Sequence, residues 1–270
     1  MLAVFRLATS RFAKFSGFPI LPVLAAAVAL GGCDDKAASS RDKAPAASAS
    51  SVASVVTPPS AAPPAPASPP QLAIYEGGAS VGGERIDFTA PDPKGRLAAA
   101  LSGKPIAGEE IVVDAARNNK TPQVALVFAA LSEAKAKSAR IRTPKRDRSN
   151  AEITFPLGVK RPDCTVVGFI GKDVSINVWP VSGGTAQRYA KGMAGPDITL
   201  GSAGVRKQLA TCDSPVWAVS SDDSVQWGLV VDLVLGVMHP EEGPPPAGNH
   251  GGSVVLLTKP PVPGRKVEND

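Results

Sequence analysis

"SDDSVQWGLVVDLVLGV", Ser221–Val237, opens with polar and acidic residues and then turns almost wholly apolar for three turns of helix. A similar shape occurs 103 residues earlier as "NNKTPQVALVFAALSEA", Asn118–Ala134. In the earlier copy Thr121 suits an N-cap and Pro122 the first helical position. Val124, Val127, Phe128 and Leu131 fall at i, i+3, i+4 and i+7, which predicts one buried stripe. A shift of 103 carries that stripe to Trp227, Val230, Val231 and Val234, all apolar, with Ser224 as the cap.

The flanks repeat as well. In the first half "RIDFTA" (Arg85–Ala90) and "EIVVDAA" (Glu110–Ala116) read as strands. Between them "PKGRLAAALSG" reads as a short helix with Pro93 near its start and Gly103 at its end. "ARIRT" (Ala139–Thr143) reads as the closing strand. In the second half "VSINVWPV" (Val174–Val181), "DITLG" (Asp197–Gly201), "PVWAVSS" (Pro215–Ser221) and "SVVLLT" (Ser253–Thr258) read as strands, and "SAGVRKQLATC" (Ser202–Cys212) as a helix. "AEITFPLG" and "CTVVGFIG", between the copies, read as further strands that extend the second sheet or join the halves. The expectation is an α+β fold of two tandem β-β-α-β-α-β halves packed together. "GGASVGGERI" reads as a hairpin turn.

The run of apolar strand, polar turn, capped amphipathic helix and strand resembles the periplasmic domain of the ExbD/TolR biopolymer-transport family. The resemblance covers roughly residues 80–143 and 174–258. "ARNNKTPQVALVFAAL" keeps that family's Pro and helix but has Asn118 at its acidic position, whereas "VSSDDSVQWGLVVDLVL" keeps the acids and has Val225 in place of Pro. The resemblance implies a domain that pairs as a dimer and, as in TolR, is associated with peptidoglycan. Two copies in one chain would then form an internal pseudo-dimer. Family members also carry an aspartate in an N-terminal membrane helix that serves a proton-driven motor. Here no Asp or Glu precedes Cys33, so the resemblance implies the periplasmic fold without the motor part.

Arg6, Arg11 and Lys14 precede an apolar run, "FPILPVLAAAVALGG" (Phe18–Gly32), which is short for a bilayer-spanning helix. It ends at "LGGC", Leu30–Cys33, which resembles the lipobox of bacterial lipoproteins. That resemblance implies cleavage before Cys33, acylation of Cys33 and a lipid-anchored position on the periplasmic side of the cell envelope. Asp34 and Asp35 resemble an inner-membrane retention signal of enteric bacteria, and the choice of membrane stays open. From Asp34 to Gln71 the chain is Ala, Ser and Pro with a few charges and no aromatic residue. Such a stretch buries too little apolar surface to offset its ordering entropy and reads as a disordered tether, reaching roughly 35 Å as a coil and about 120 Å as polyproline II. The expected organisation is therefore 1–32 signal peptide, 33–71 tether, 72–150 first half and 151–270 second half.

Net charge is +5, and setting aside the three cations of the first 32 residues leaves +2, too near neutral to argue for nucleic acid. Cys164 and Cys212 remain after Cys33, and outside the cytoplasm they are expected to form a disulfide, with two buried thiols as the alternative. His239 and His250 flank the loop "HPEEGPPPAGNHGG" beside Glu241 and Glu242, in a spacing that matches no metal-ligand pattern. No G-x-S-x-G elbow or Walker loop occurs, so no catalytic residue, metal or cofactor is expected. Lys135, Lys137, Arg140, Arg142, Lys145, Arg146 and Arg148 form a basic run that could contact anionic peptidoglycan or lipid headgroups, or simply be a solvated helix end. Asp232 interrupts the second apolar helix on the face of Gly228 and Gly236. A solvent-facing stripe is expected, the alternative being a close-packed neighbour with a backbone donor for the carboxylate. These features predict a non-catalytic envelope interaction or scaffold protein, with a periplasmic hydrolase or a small-ligand sensor as alternatives.

Overall fold

The computed structural model describes residues 68–190, 196–239 and 252–268. The signal segment, Cys33, the tether up to residue 67, His250 and most of the Pro/Gly-rich loop lie outside the described residues.

Among the described residues two mixed sheets and four helices form an α+β architecture. The first sheet holds β1 (Leu72–Tyr75), β2 (Gly78–Val81), β3 (Glu84–Asp87), β4 (Glu110–Ala115), β5 (Ser138–Pro144) and β6 (Asn150–Pro156), in the order β3-β2-β1-β4-β5-β6. Helices α1 (Pro93–Leu101) and α2 (Thr121–Glu133) make the crossovers that parallel strands require. The second sheet holds β7 (Val166–Ile170), β8 (Ile176–Pro180), β9 (Gln187–Tyr189), β10 (Val216–Ser221) and β11 (Ser253–Leu256), in the order β9-β8-β7-β10-β11. Its crossover helices are α3 (Ile198–Leu209) and α4 (Trp227–Met238).

The two sheets repeat one topology. In each, three strands form an antiparallel meander whose first member pairs in parallel with the strand after the first helix. That strand pairs in parallel with the one after the second helix. Each half is thus β-β-β-α-β-α-β, one strand longer at its start than the sequence suggested. The missed strands, β1, β2 and β9, have three or four residues, too few to establish a period. "GGASVGGERI" is two turns about a strand, with Gly77 (φ 81°) before β2 and Gly82 and Gly83 (φ 58° and 92°) after it. β6 is an addition to the first sheet alone, paired antiparallel with β5, and β7 opens the second.

"DITLG" is not a strand. Asp197 caps α3 by accepting the Leu200 N–H at 2.9 Å, so Ile198 and Leu200 lie in the first turn of a helix, Ile198 packed on the core and Leu200 exposed. Gly201 and Gly204 stand inside that helix because Ile176 and the Tyr189 ring press onto its backbone where a Cβ would collide.

The structural match between the long helices also differs from the one read in the sequence. Lys120 and Gln226, 106 residues apart, face each other in an antiparallel bridge. They share one backbone conformation (φ −76°, ψ 140° and φ −74°, ψ 141°) and each immediately precedes its helix. The stripe Val124, Val127, Phe128, Leu131 therefore corresponds to Val230, Leu233, Val234 and Val237, all buried. The shift of 103 is wrong by about one helical turn, the slip that an i, i+3 stripe tolerates best. Neither Thr121 nor Ser224 is a cap. Thr121 is the first helical residue, and Ser224 lies in the preceding turn.

One continuous core joins the inner faces of both sheets and all four helices. At its centre the Phe155 ring of β6 lies 5.2 Å from Phe128 on α2 and 6.0 Å from Trp227 on α4. The outer faces differ. On the first sheet Arg140 lies 3.0 Å from Glu110 and 3.6 Å from Glu152, and Arg142 grips Asp114 with bonds of 2.7 and 2.8 Å. By strand register Val216, Val255 and Leu257 occupy the places of Glu110, Arg140 and Arg142 on the second sheet. They form a second apolar cluster with Phe169, Trp179 and Val181, on which Val267 packs. The segment carrying Val267 is held by Trp179 Nε1 donating to the Arg265 carbonyl (3.0 Å) and the Val267 N–H donating to Val181 (2.8 Å).

Candidate functional site

The halves meet where β6 lies beside β11 and where α2 and α4 begin. The Thr121 N–H donates to the Val225 carbonyl at 3.1 Å, and the Trp227 N–H donates to the Asn119 carbonyl at 2.7 Å. A shift of 106 residues exchanges these two bonds, so the junction has a local two-fold. Two equivalent clefts result, each between the carboxyl ends of parallel strands of one half and the first turns of the long helix of the other.

The cleft between α4 and the ends of β4 and β5 is filled. Arg117, from the turn after β4, donates to both carboxylate oxygens of Asp232 at 3.0 and 2.8 Å and to the Gly228 carbonyl at 3.2 Å. Arg146, from the β5–β6 hairpin, reaches the same carboxylate at 2.7 Å. Trp227 Nε1 donates to Thr143 Oγ1 at 2.9 Å. The Asp232 side chain is only 15% exposed, so the expected solvent-facing stripe is overturned. A neighbour does pack there, and the donors are two guanidinium groups rather than backbone. Gly228 admits the first of them, because a Cβ there would stand 2.9 Å from Arg117 Nε. Arg117 escaped the sequence reading because it lies 115 residues from its partner with no periodic signal between them.

The other cleft, between α2 and the ends of β10 and β11, is open, with a volume of about 470 Å³. Asp223 stands here at the place of Arg117, Pro122 at that of Gly228, Leu126 at that of Asp232 and Thr121 at that of Trp227. All four line the space, together with Ala125, Ala129 and Thr258. A Lys94–Glu133 pair at 2.6 Å sits at the rim. A second hollow of about 370 Å³ continues along α2 past Ser132 to Leu157, Val159 and Leu256. Among the described residues no hairpin covers this cleft: the chain after β11 lines it at Thr258–Pro260 and then runs to the outer face of its own sheet at Val267.

Local carboxylates stiffen the turns around the junction. Asp222, at the end of β10, accepts the Ser224 hydroxyl (2.7 Å) and backbone N–H (3.0 Å), which together hold its pKa below the ordinary value. The same Asp-x-Ser/Thr arrangement occurs at Asp87, Asp147 and Asp173. Asp173 is lowered most, to about 2, because Arg188 also bonds it at 2.6 Å.

The seven residues of the basic run do not make one patch. Lys135 and Lys137 lie at the turn before β5 and Lys145, Arg146 and Arg148 in the hairpin after it, separated by about 20 Å of strand. Arg140 and Arg142, between them, are ion-paired on the open sheet face. Cys164 and Cys212 form the expected disulfide, tying the start of β7 to the turn after α3. His239 ends α4, exposed and lining neither cleft. Among the described residues no group of three or more His, Cys, Asp or Glu could hold a metal, and no helix is long and apolar enough to cross a membrane. Comparison with protein-family models, curated proteins and solved structures returned no match.

Proposed function

We propose that this chain is a non-catalytic interaction or scaffold protein of the bacterial cell envelope, lipid-anchored through Cys33, whose folded part is an ExbD/TolR-like domain pair fused into one polypeptide. One observation carries the reading. The repeated topology and the reciprocal bonds flanking Lys120 and Gln226 pair the two halves within one chain, which supports the internal pseudo-dimer that the resemblance implies. On this reading the partner is peptidoglycan or a component of an envelope transport motor. Retention of residues 68–270 by purified peptidoglycan in a sedimentation assay tests it, with saturable binding expected; no retention removes the cell-wall partner. Mass spectrometry of the mature N-terminus tests the anchor, with a diacylglyceryl-modified Cys33 expected.

The open cleft favours a second reading, a small-ligand sensor. Its volume lies within the range of ligand sites, and its apolar floor carries a polar rim. Leu126→Arg would occupy it from the helix side, with its guanidinium facing Asp223. A ligand-library thermal-shift screen in which hits are lost in that variant supports the sensor; hits that persist place binding elsewhere.

A further inference from the structure

The local two-fold means that each contact across the junction exists in two versions, one in each cleft. The position of Arg117 in one half faces that of Asp232 in the other, and in the second version Asp223 and Leu126 line the same open space. We propose that Arg117, Arg146 and Asp232 form a pairing code by which the second half recognises the first half and rejects a second copy of itself.

The alternatives follow from the twin positions. Were two first halves to pair, Arg117 would face Leu126 in both clefts, leaving two half-buried guanidinium groups without a carboxylate. Thr121 would also stand where the Trp227 indole fills space. Were two second halves to pair, Asp223 would face Asp232 in both clefts, and neither partner would bring the hairpin that supplies Arg146. Like charges brought together at a partly desolvated junction oppose assembly, and a guanidinium without its partner does the same. Only first with second satisfies the buried carboxylate. The code matters because a duplicated chain is exposed to exchange of equivalent halves between molecules, which would make open-ended assemblies. The surface formed by α4 and the β10–α4 turn thus fits one partner, the first half of this chain.

The test starts from the folded full chain carrying a protease site in the exposed connection Gly158–Lys160. After cleavage, unlabelled and isotope-labelled batches are mixed and the pairs are weighed by native mass spectrometry. The wild type is expected to give first–second pairs alone. Asp232→Arg opposes Arg117 and complements Asp223, so it is expected to raise second–second pairs more than tenfold. Asp232→Leu, the residue already tolerated in the open cleft, is expected to give an intermediate mixture and serves as the second variant. Scrambled pairing in the wild type, exclusive first–second pairing in both variants, or halves that separate on cleavage would each overturn the proposal.

Discussion

Asn119 is 1% exposed, and neither polar atom of its side chain has a partner among the described residues. Its twin, Val225, is buried at the equivalent place in the same core. A buried amide without hydrogen bonds costs about 1–3 kcal/mol, and an apolar side chain of similar volume does not incur that cost. Asn119→Val is therefore expected to raise the free energy of unfolding by about 1 kcal/mol in urea denaturation, with an unchanged denaturant slope. At Asp173 the charge chemistry is legible instead. Its folded pKa of about 2 lies below the ordinary 3.8, so the unfolded chain binds the proton first. The stabilisation is present above about pH 4 and is lost as pH falls toward 2. Asp173→Asn should flatten the stability profile in that window by a modest amount, because the Arg188 pair is more than half exposed and screened by solvent.

At the scale of elements, the disulfide shows how position decides the value of a covalent link. Cys164 and Cys212 are 48 residues apart and join the entry to β7 with the exit from α3, enclosing the meander and first helix of the second half. Closing a loop of that length restricts the unfolded chain by about 4 kcal/mol in the chain-entropy account. Reduction should lower the midpoint of thermal unfolding, and hydrogen exchange should quicken in β8, β9 and α3 before the first sheet. The elements that the sequence made legible were those with a long period, such as α2 and α4, or a dense apolar run, such as β10. β1, β2 and β9 were too short to show one. "DITLG" fits a strand as well as a helix, because five residues cannot separate an alternating strand from a capped first turn. The helix register slipped because the 103-residue shift matches more identical residues, Gln123 with Gln226 among them, than the shift the backbone adopts.

For the whole molecule, duplication explains both what the chain repeats and where it departs. The inner faces stay apolar in both halves, because each must bury two helices. The outer faces diverged into a charged ladder on one sheet and an apolar seat for the C-terminal segment on the other. The clefts diverged into one filled by Arg117 and Arg146 and one left open. No local pattern announces such differences. They depend on which residues the two-fold brings together across more than a hundred positions, so a lone Asp232 on an apolar helix reads as a surface residue and the sequence does not locate either cleft.

The two halves pair about the bridge between Lys120 and Gln226. These residues form a narrow, non-hydrogen-bonded antiparallel pair, whose Cα atoms lie about 4.5 Å apart, within reach of a disulfide. The full chain carrying Lys120→Cys and Gln226→Cys is oxidised mildly, digested, and its linked peptides are identified by mass spectrometry. Near-complete 120–226 linkage within one chain, beside an intact Cys164–Cys212 bridge, is the predicted result. Free thiols at both positions, or links that join different chains, would contradict it.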